Sequence, residues 1–182
     1  MLLRALLAAV VVAVPAVAAE LEGVTAPESV TVEGKTLALN GMGLRRKFIV
    51  NVYVGSLYLE QASQDPKQIL ARDGVRRMEL RMLRDLDAKT IVEAINTGFE
   101  KNSAAQLPAL KERLEKFNAK IVSVKKGASF IIQYVPGKGT RVEGIPDAYV
   151  AEGKDFADAL FAVWLGASPA DEGLKKGLLG KK

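Results

Sequence analysis

The stretch FIVNVYVGSLYLE, residues 48–60, limits the fold more than any other part of the sequence. Side chains alternate between the two faces of a strand. Phe48, Val50, Val52 and Val54 therefore fall on one side, and Ile49, Asn51, Tyr53 and Leu57 on the other. Apolar residues on both sides predict a strand covered on both faces, so the chain must supply layers to cover it. Three cations, Arg45, Arg46 and Lys47, stand at the head of this run. They mark the place where it meets water or bends.

The flanking sequence supplies those layers. SVTVEGKTLALNG holds two short strand patterns, with Glu33-Gly34 as a turn between them and Asn40-Gly41 as a turn after the second. DPKQILAR predicts a short helix with Asp65 as cap and Pro66 at its first position. VRRMELRML alternates, with Met78, Leu80 and Met82 inward and Arg77, Glu79 and Arg81 outward. Asp87 caps a predicted helix over residues 88–102, striped by Ile91, Val92, Ile95 and Phe99. Leu107, Leu110, Leu114 and Phe117 stripe a second helix. ASFIIQYV and TRVEGI read as strands joined by the turn PGKG. Two helices close the chain. Phe156, Leu160, Phe161 and Trp164 line the first, Gly166 ends it, and Ser168 to Asp171 resembles a capping box opening the second. Strands followed by helices in blocks predict an α+β domain, an antiparallel sheet packed by helices, and not the alternation of a doubly wound fold.

Residues 1–19 read as a segment apart. One cation, Arg4, precedes an apolar run from Ala5 to Val14, and small residues follow. This is the pattern of a cleaved secretory signal, with cutting expected after Ala18 or after Ala19. The run is short for a membrane span, which needs about 20 apolar residues. The expected mature domain is 20–182, without a transmembrane segment, periplasmic or secreted. Loss of Arg4 lowers the formal net charge from +5 to +4. So small a charge gives no footprint for nucleic acid.

The chain has no Cys and no His, which excludes disulfides, thiol and imidazole catalysis, and Cys/His metal sites. No phosphate-binding or dinucleotide glycine motif and no calcium loop is present, and no cofactor or metal is expected. Any chemistry falls to Arg, Lys, Tyr, Ser, Thr, Asn or carboxylates.

Three segments in order, LNGMGLRRKFIVNVYVGSLYLE, VPGKGTRVEGI and GKDFADALFAVWLGASPADEGLKKGLLG, resemble the chalcone isomerase family. The closer likeness is to its bacterial, signal-bearing members. The resemblance implies an open-faced β-sandwich, a large antiparallel sheet covered by a layer of helices with a ligand cleft between. The plant enzymes of the family close a chalcone to a flavanone with an arginine that follows a Gly-x-Gly-x pattern, and GMGLR places Arg45 there. Their other catalytic positions fall on Tyr53, Leu86, Glu93 and Val163, so that one position of about five keeps its residue type.

Arginine with tyrosine is instead similar to the fatty-acid-binding branch, where the pair holds the carboxylate of a long-chain acid. A guanidinium and a phenol suit that task. The resemblance thus implies a non-catalytic protein that binds a fatty-acid-like hydrophobic ligand. The alternatives are an isomerase with Arg45 as its catalytic residue, or an accessory protein whose cleft is filled by Met42, Met78, Met82 and other large side chains. Candidate ligand residues are Arg45, Tyr53, Tyr134, Thr90 and Asn96. Geometry sets one condition. Along a straight strand, eight residues at ~3.3 Å each separate Arg45 from Tyr53 by about 26 Å. The two share a ligand only if the chain turns back between them.

Overall fold

The computed structural model describes residues 18–144 and 149–181. Residues 1–17 of the expected signal segment 1–19, and Ile145 at the end of the last expected strand, lie outside them. A short hairpin comes first, β1 (Ala19–Leu21) with β2 (Val24–Ala26). The main sheet has six antiparallel strands in sequence order: β3 (Ser29–Val32), β4 (Lys35–Lys47), β5 (Val50–Leu59), β6 (Arg76–Met82), β7 (Ser129–Val135) and β8 (Gly139–Val142). Five helices are interleaved: α1 (Pro66–Ala71), α2 (Ala88–Ser103), α3 (Leu107–Asn118), α4 (Lys154–Leu165) and α5 (Glu172–Leu178). The α+β class and the antiparallel sheet with its helix layer are as the sequence predicts.

The helices form where their caps and stripes place them. The Asp65 carboxylate accepts from the Lys67 amide at 2.9 Å, and the Asp87 carboxylate accepts from the Thr90 amide at 2.7 Å. The α2 stripe of Ile91, Ile95 and Phe99 is buried against α4 and the sheet, as are Met78, Leu80 and Met82 of β6. The last helix begins later than expected. Its cap is Asp171, whose carboxylate accepts from the Leu174 amide at 2.8 Å. Ser168 to Ala170 consequently remain a bent, non-helical connection.

The covered strand is β5, in which every residue from Val52 to Leu59 is buried. Tyr53, Leu57 and Leu59 join the main core beneath the helices. Tyr58 packs on the other face with Val32, Leu37 and Val75. The strand is shorter than expected at its start. Phe48 and Ile49 are not strand residues but the two-residue loop joining β4 to β5, with Lys47 paired to Val50.

Asn40-Gly41 is likewise not a turn. Strand β4 runs through it with a bulge, since Leu39 faces Tyr58 while Gly41 faces Leu57. Asn40 is the extra residue. Its amide nitrogen donates to the Ser63 and Leu178 carbonyls, and its oxygen accepts from the Ser63 amide at 2.8 Å. A one-residue slip exchanges the faces of everything beyond it. Leu37 faces the outer cluster, whereas Gly41, Gly43 and Arg45 face the helices. The two glycines let α5 lie directly on the strand. A Cβ at Gly41 would stand 2.2 Å from the Gly177 carbonyl oxygen, and one at Gly43 would stand 2.3 Å from that of Leu174.

Candidate functional site

The condition on Arg45 and Tyr53 is met by the hairpin. The chain reverses at Phe48-Ile49, and Arg45 becomes the cross-strand partner of Tyr53. A second irregularity lies beside this pair. Arg45 faces Tyr53 but Arg46 faces Asn51, so Val52 is skipped. The bulge turns both Val52 and Tyr53 toward the helix side, where both join the main core.

Between this end of the sheet and α2 opens a cleft of about 520 Å³. Val52, Tyr53, Leu80, Met82 and Phe130 form its floor. Ile91, Ile95 and Gly98 of α2 form the opposite wall, and Val163 and Trp164 of α4 close the back. The bent connection Ser168–Ala170 makes one rim. Its position depends on Asp171 and not Ser168 capping α5, and it is tied down by the Ala170 carbonyl, which accepts from an Arg45 guanidinium nitrogen.

Tyr53 is buried, and its hydroxyl oxygen accepts from the Trp164 indole N–H at 2.9 Å. Burial pushes its phenol up to about 12, against the opposing pull of the Arg45 guanidinium. The hydroxyl is therefore protonated at neutral pH, with its own hydrogen available to an acceptor in the cleft. No carboxylate pairs with Arg45 among the described residues, and the same holds for Lys47, Arg84 and Lys101 around the mouth. The acids at the mouth are all engaged. Asp85 accepts from Lys125 and the Lys126 amide, Asp87 caps α2, and Glu93 lies 3.9 Å from Lys89. Hydrogen bonds from Lys125 and from the Thr90 amide, respectively, hold the Asp85 and Asp87 carboxyls below their usual range. The uncommitted charge at the opening is thus positive. Its chemistry suits an anionic group held at the mouth with an apolar body behind it. Among the described residues no three Cys, His, Asp or Glu side chains come together as metal ligands.

Of the five candidate residues, Arg45, Tyr53 and Thr90 line the cleft. Tyr134 and Asn96 do not, and their assignment to it is corrected. Tyr134 lies at the opposite end of the sheet, where its hydroxyl donates to Asp73 at 2.6 Å and its ring lies 5.0 Å from the Arg76 guanidinium carbon. Asn96 is one residue past Ile95, about 100° around the helix, and its oxygen accepts from the Asn118 amide at 2.7 Å on α3. Trp164 and the Ala170 carbonyl were not among the candidates. The indole's place at helical spacing with Phe156, Leu160 and Phe161 reads as core, and it is both buried and a wall of the cleft.

The model of the chalcone isomerase-like family matches residues 18–180. The chain belongs to that family. Among solved structures, this chalcone isomerase-like protein is similar to a fatty-acid binding protein of Arabidopsis thaliana, with 14% identity and a TM-score of 0.62 over 89% of this chain and 95% of that one. At that identity the likeness is one of fold. No curated protein matches the sequence. Arg45, Tyr53, Leu86, Glu93 and Val163, the positions that the sequence resemblance matches to the plant enzymes' catalytic residues, all line the cleft.

Proposed function

We propose that this protein is an exported, non-catalytic binding protein for a fatty-acid-like ligand, whose carboxylate meets Arg45 and the Tyr53 hydroxyl at the cleft. The observation that carries this function is the pairing of an arginine lacking a carboxylate partner with a neutral phenol across one strand pair, above an apolar floor. The fatty-acid binding title of the structural neighbour supports the same ligand class. An isomerase finds less support, because Leu86 and Val163 offer no proton donor where the enzymes are polar. A ligand-free scaffold finds less support too, because Met82 lines the cleft without filling its 520 Å³, a volume ordinary for ligand pockets. Export is supported by the sequence pattern of residues 1–19.

The test starts from protein recovered from the cell envelope of its own host without detergent. Intact mass is expected to show a chain starting at Ala19 or Glu20, and solvent extraction to release a long-chain acid. Added palmitate is expected to raise the melting temperature, and Arg45→Leu to weaken binding roughly 10- to 100-fold, the worth of a charged hydrogen bond. A chain that still begins at Met1 sinks export. No extractable acid, together with no thermal shift at any chain length, sinks the ligand.

A further inference from the structure

The loop between β4 and β5 exposes the two largest unburied apolar side chains among the described residues. Phe48 is 93% exposed and Ile49 is 96% exposed. Phe48 also has φ +55°, and it is the first of two loop residues, a hairpin position that favours glycine. The other two-residue loops, Glu22-Gly23 and Glu33-Gly34, also begin on a non-glycine at positive φ, +51° and +49°, but there the residue is a charged side chain suited to water and a glycine follows it. A bulky side chain in left-handed backbone costs stability, and here burial offers no compensation. Folding alone therefore does not account for two large apolar side chains held in water at this tip, and they mark a surface kept for contact.

The surroundings of the tip indicate what it contacts. Arg46 and Lys47 stand directly behind it, Arg46 with 60% of its side chain exposed. Arg46 is shared with Asn51 and, at 3.7 Å, with Glu22, while Lys47 has no carboxylate partner within 4 Å among the described residues. Arg84 and Lys101, also unpaired, continue the positive charge around the cleft mouth. Two apolar side chains on a convex point leave too little area for a stable protein interface, which takes about 800 Å² from each partner. They are enough for reversible entry into the headgroup and acyl boundary of a bilayer when cations behind them meet anionic headgroups.

We propose that the Phe48-Ile49 tip docks this protein onto an anionic lipid surface, with Phe48 and Ile49 inserted and Arg46 and Lys47 against the headgroups. Lys47 also lines the cleft, so docking turns the cleft mouth toward the lipid. The docking itself does not require the cleft to be occupied.

The test places a fluorophore at the tip of the full chain. Trp164 is the single native tryptophan and is buried, so it gives a constant background. With phosphatidylglycerol vesicles, Phe48→Trp is expected to shift its emission to the blue and to be quenched by brominated acyl chains, less so at raised salt. Lys138→Trp is the control, since the β7–β8 hairpin lies at the other end of the sheet. Both variants are prepared with the same N-terminus, so any membrane affinity of residues 1–19 is common to them. The double substitution Phe48→Ser, Ile49→Ser is expected to lower vesicle binding roughly tenfold with circular dichroism unchanged. The proposal is overturned if Phe48→Trp emission ignores the vesicles, if it is quenched no more than Lys138→Trp, or if the double variant binds as the wild type does. It is overturned equally if the tip captures a protein while vesicles leave it untouched.

Discussion

Tyr53 is held in its protonated form by burial, and the strength of that hold can be read from stability at alkaline pH. Its phenol, ordinarily near 10, is pushed up to about 12 by burial, with Arg45 and the Trp164 hydrogen bond pulling the other way. The folded chain therefore holds this proton more tightly than the unfolded chain. The contribution is fully present below about pH 10 and is lost as pH rises through about 12. Two units correspond to about 3 kcal/mol at most. Wild-type stability in urea is thus expected to fall between those two pH values, and Tyr53→Phe, which has no proton to lose, to fall less. Comparing the two proteins cancels the lysines, which titrate in the same range. Parallel curves would mean that water reaches the hydroxyl and that burial does not hold its proton.

At the scale of elements, two bulges determine which side chains reach the cleft. Asn40 moves Gly41, Gly43 and Arg45 onto the helix face, and the skipped Val52 brings itself and Tyr53 to the floor together. Asn40→Ala removes two donated and one accepted hydrogen bond to Ser63 and Leu178. The expected loss is about 2–3 kcal/mol in urea unfolding, with ligand affinity falling as Arg45 loses its fixed direction. Unchanged stability would show the bulge to be held by the sheet alone. The helices were legible in the sequence because Asp65 and Asp87 cap them and their stripes repeat at helical spacing. The bulges were not, because Asn-Gly has the same composition whether it turns a chain or inserts one residue into a ladder. The β4–β5 hairpin was hidden by Phe48-Ile49, which lacks the glycine that normally announces a two-residue loop. The Glu22-Gly23 turn of β1–β2 carried that signal and was passed over. The cleft was legible through Arg45 and Tyr53. Tyr134 and Asn96 were misassigned because strand order and helix rotation, not residue type, decide which end and which wall a polar side chain meets.

Across the whole molecule, two arginines project from the sheet toward the helices, and their surroundings differ at the two ends. Arg76, at the far end of β6, is 2% exposed, stacked between the Tyr134 and Phe161 rings and bonded to Asp158 at 2.7 Å. Its Nε and Nη1 have no partner among the described residues, so its buried charge leans on Asp158, which Lys154 also holds. Arg45, at the cleft end, has a carbonyl for company and no carboxylate. The first arrangement closes its end of the layer with a completed ion pair. The second leaves a cation whose counter-charge has to come from outside the chain. Breaking a buried pair from one side strands the remaining charge, commonly at 3–5 kcal/mol, and the partial exposure of Asp158 places its removal near the lower figure. Asp158→Ala is therefore expected to lose about 3 kcal/mol in urea unfolding while ligand binding persists. Arg45→Leu is expected to change stability by less than about 1 kcal/mol, because it removes one hydrogen bond and relieves an unbalanced charge. Both stabilities come from one set of denaturation curves, with ligand affinity measured on the same samples. If Arg45→Leu proves the more damaging to stability, Arg45 serves to fasten the Ala170 connection and α5, and the ligand must be sought elsewhere in the cleft.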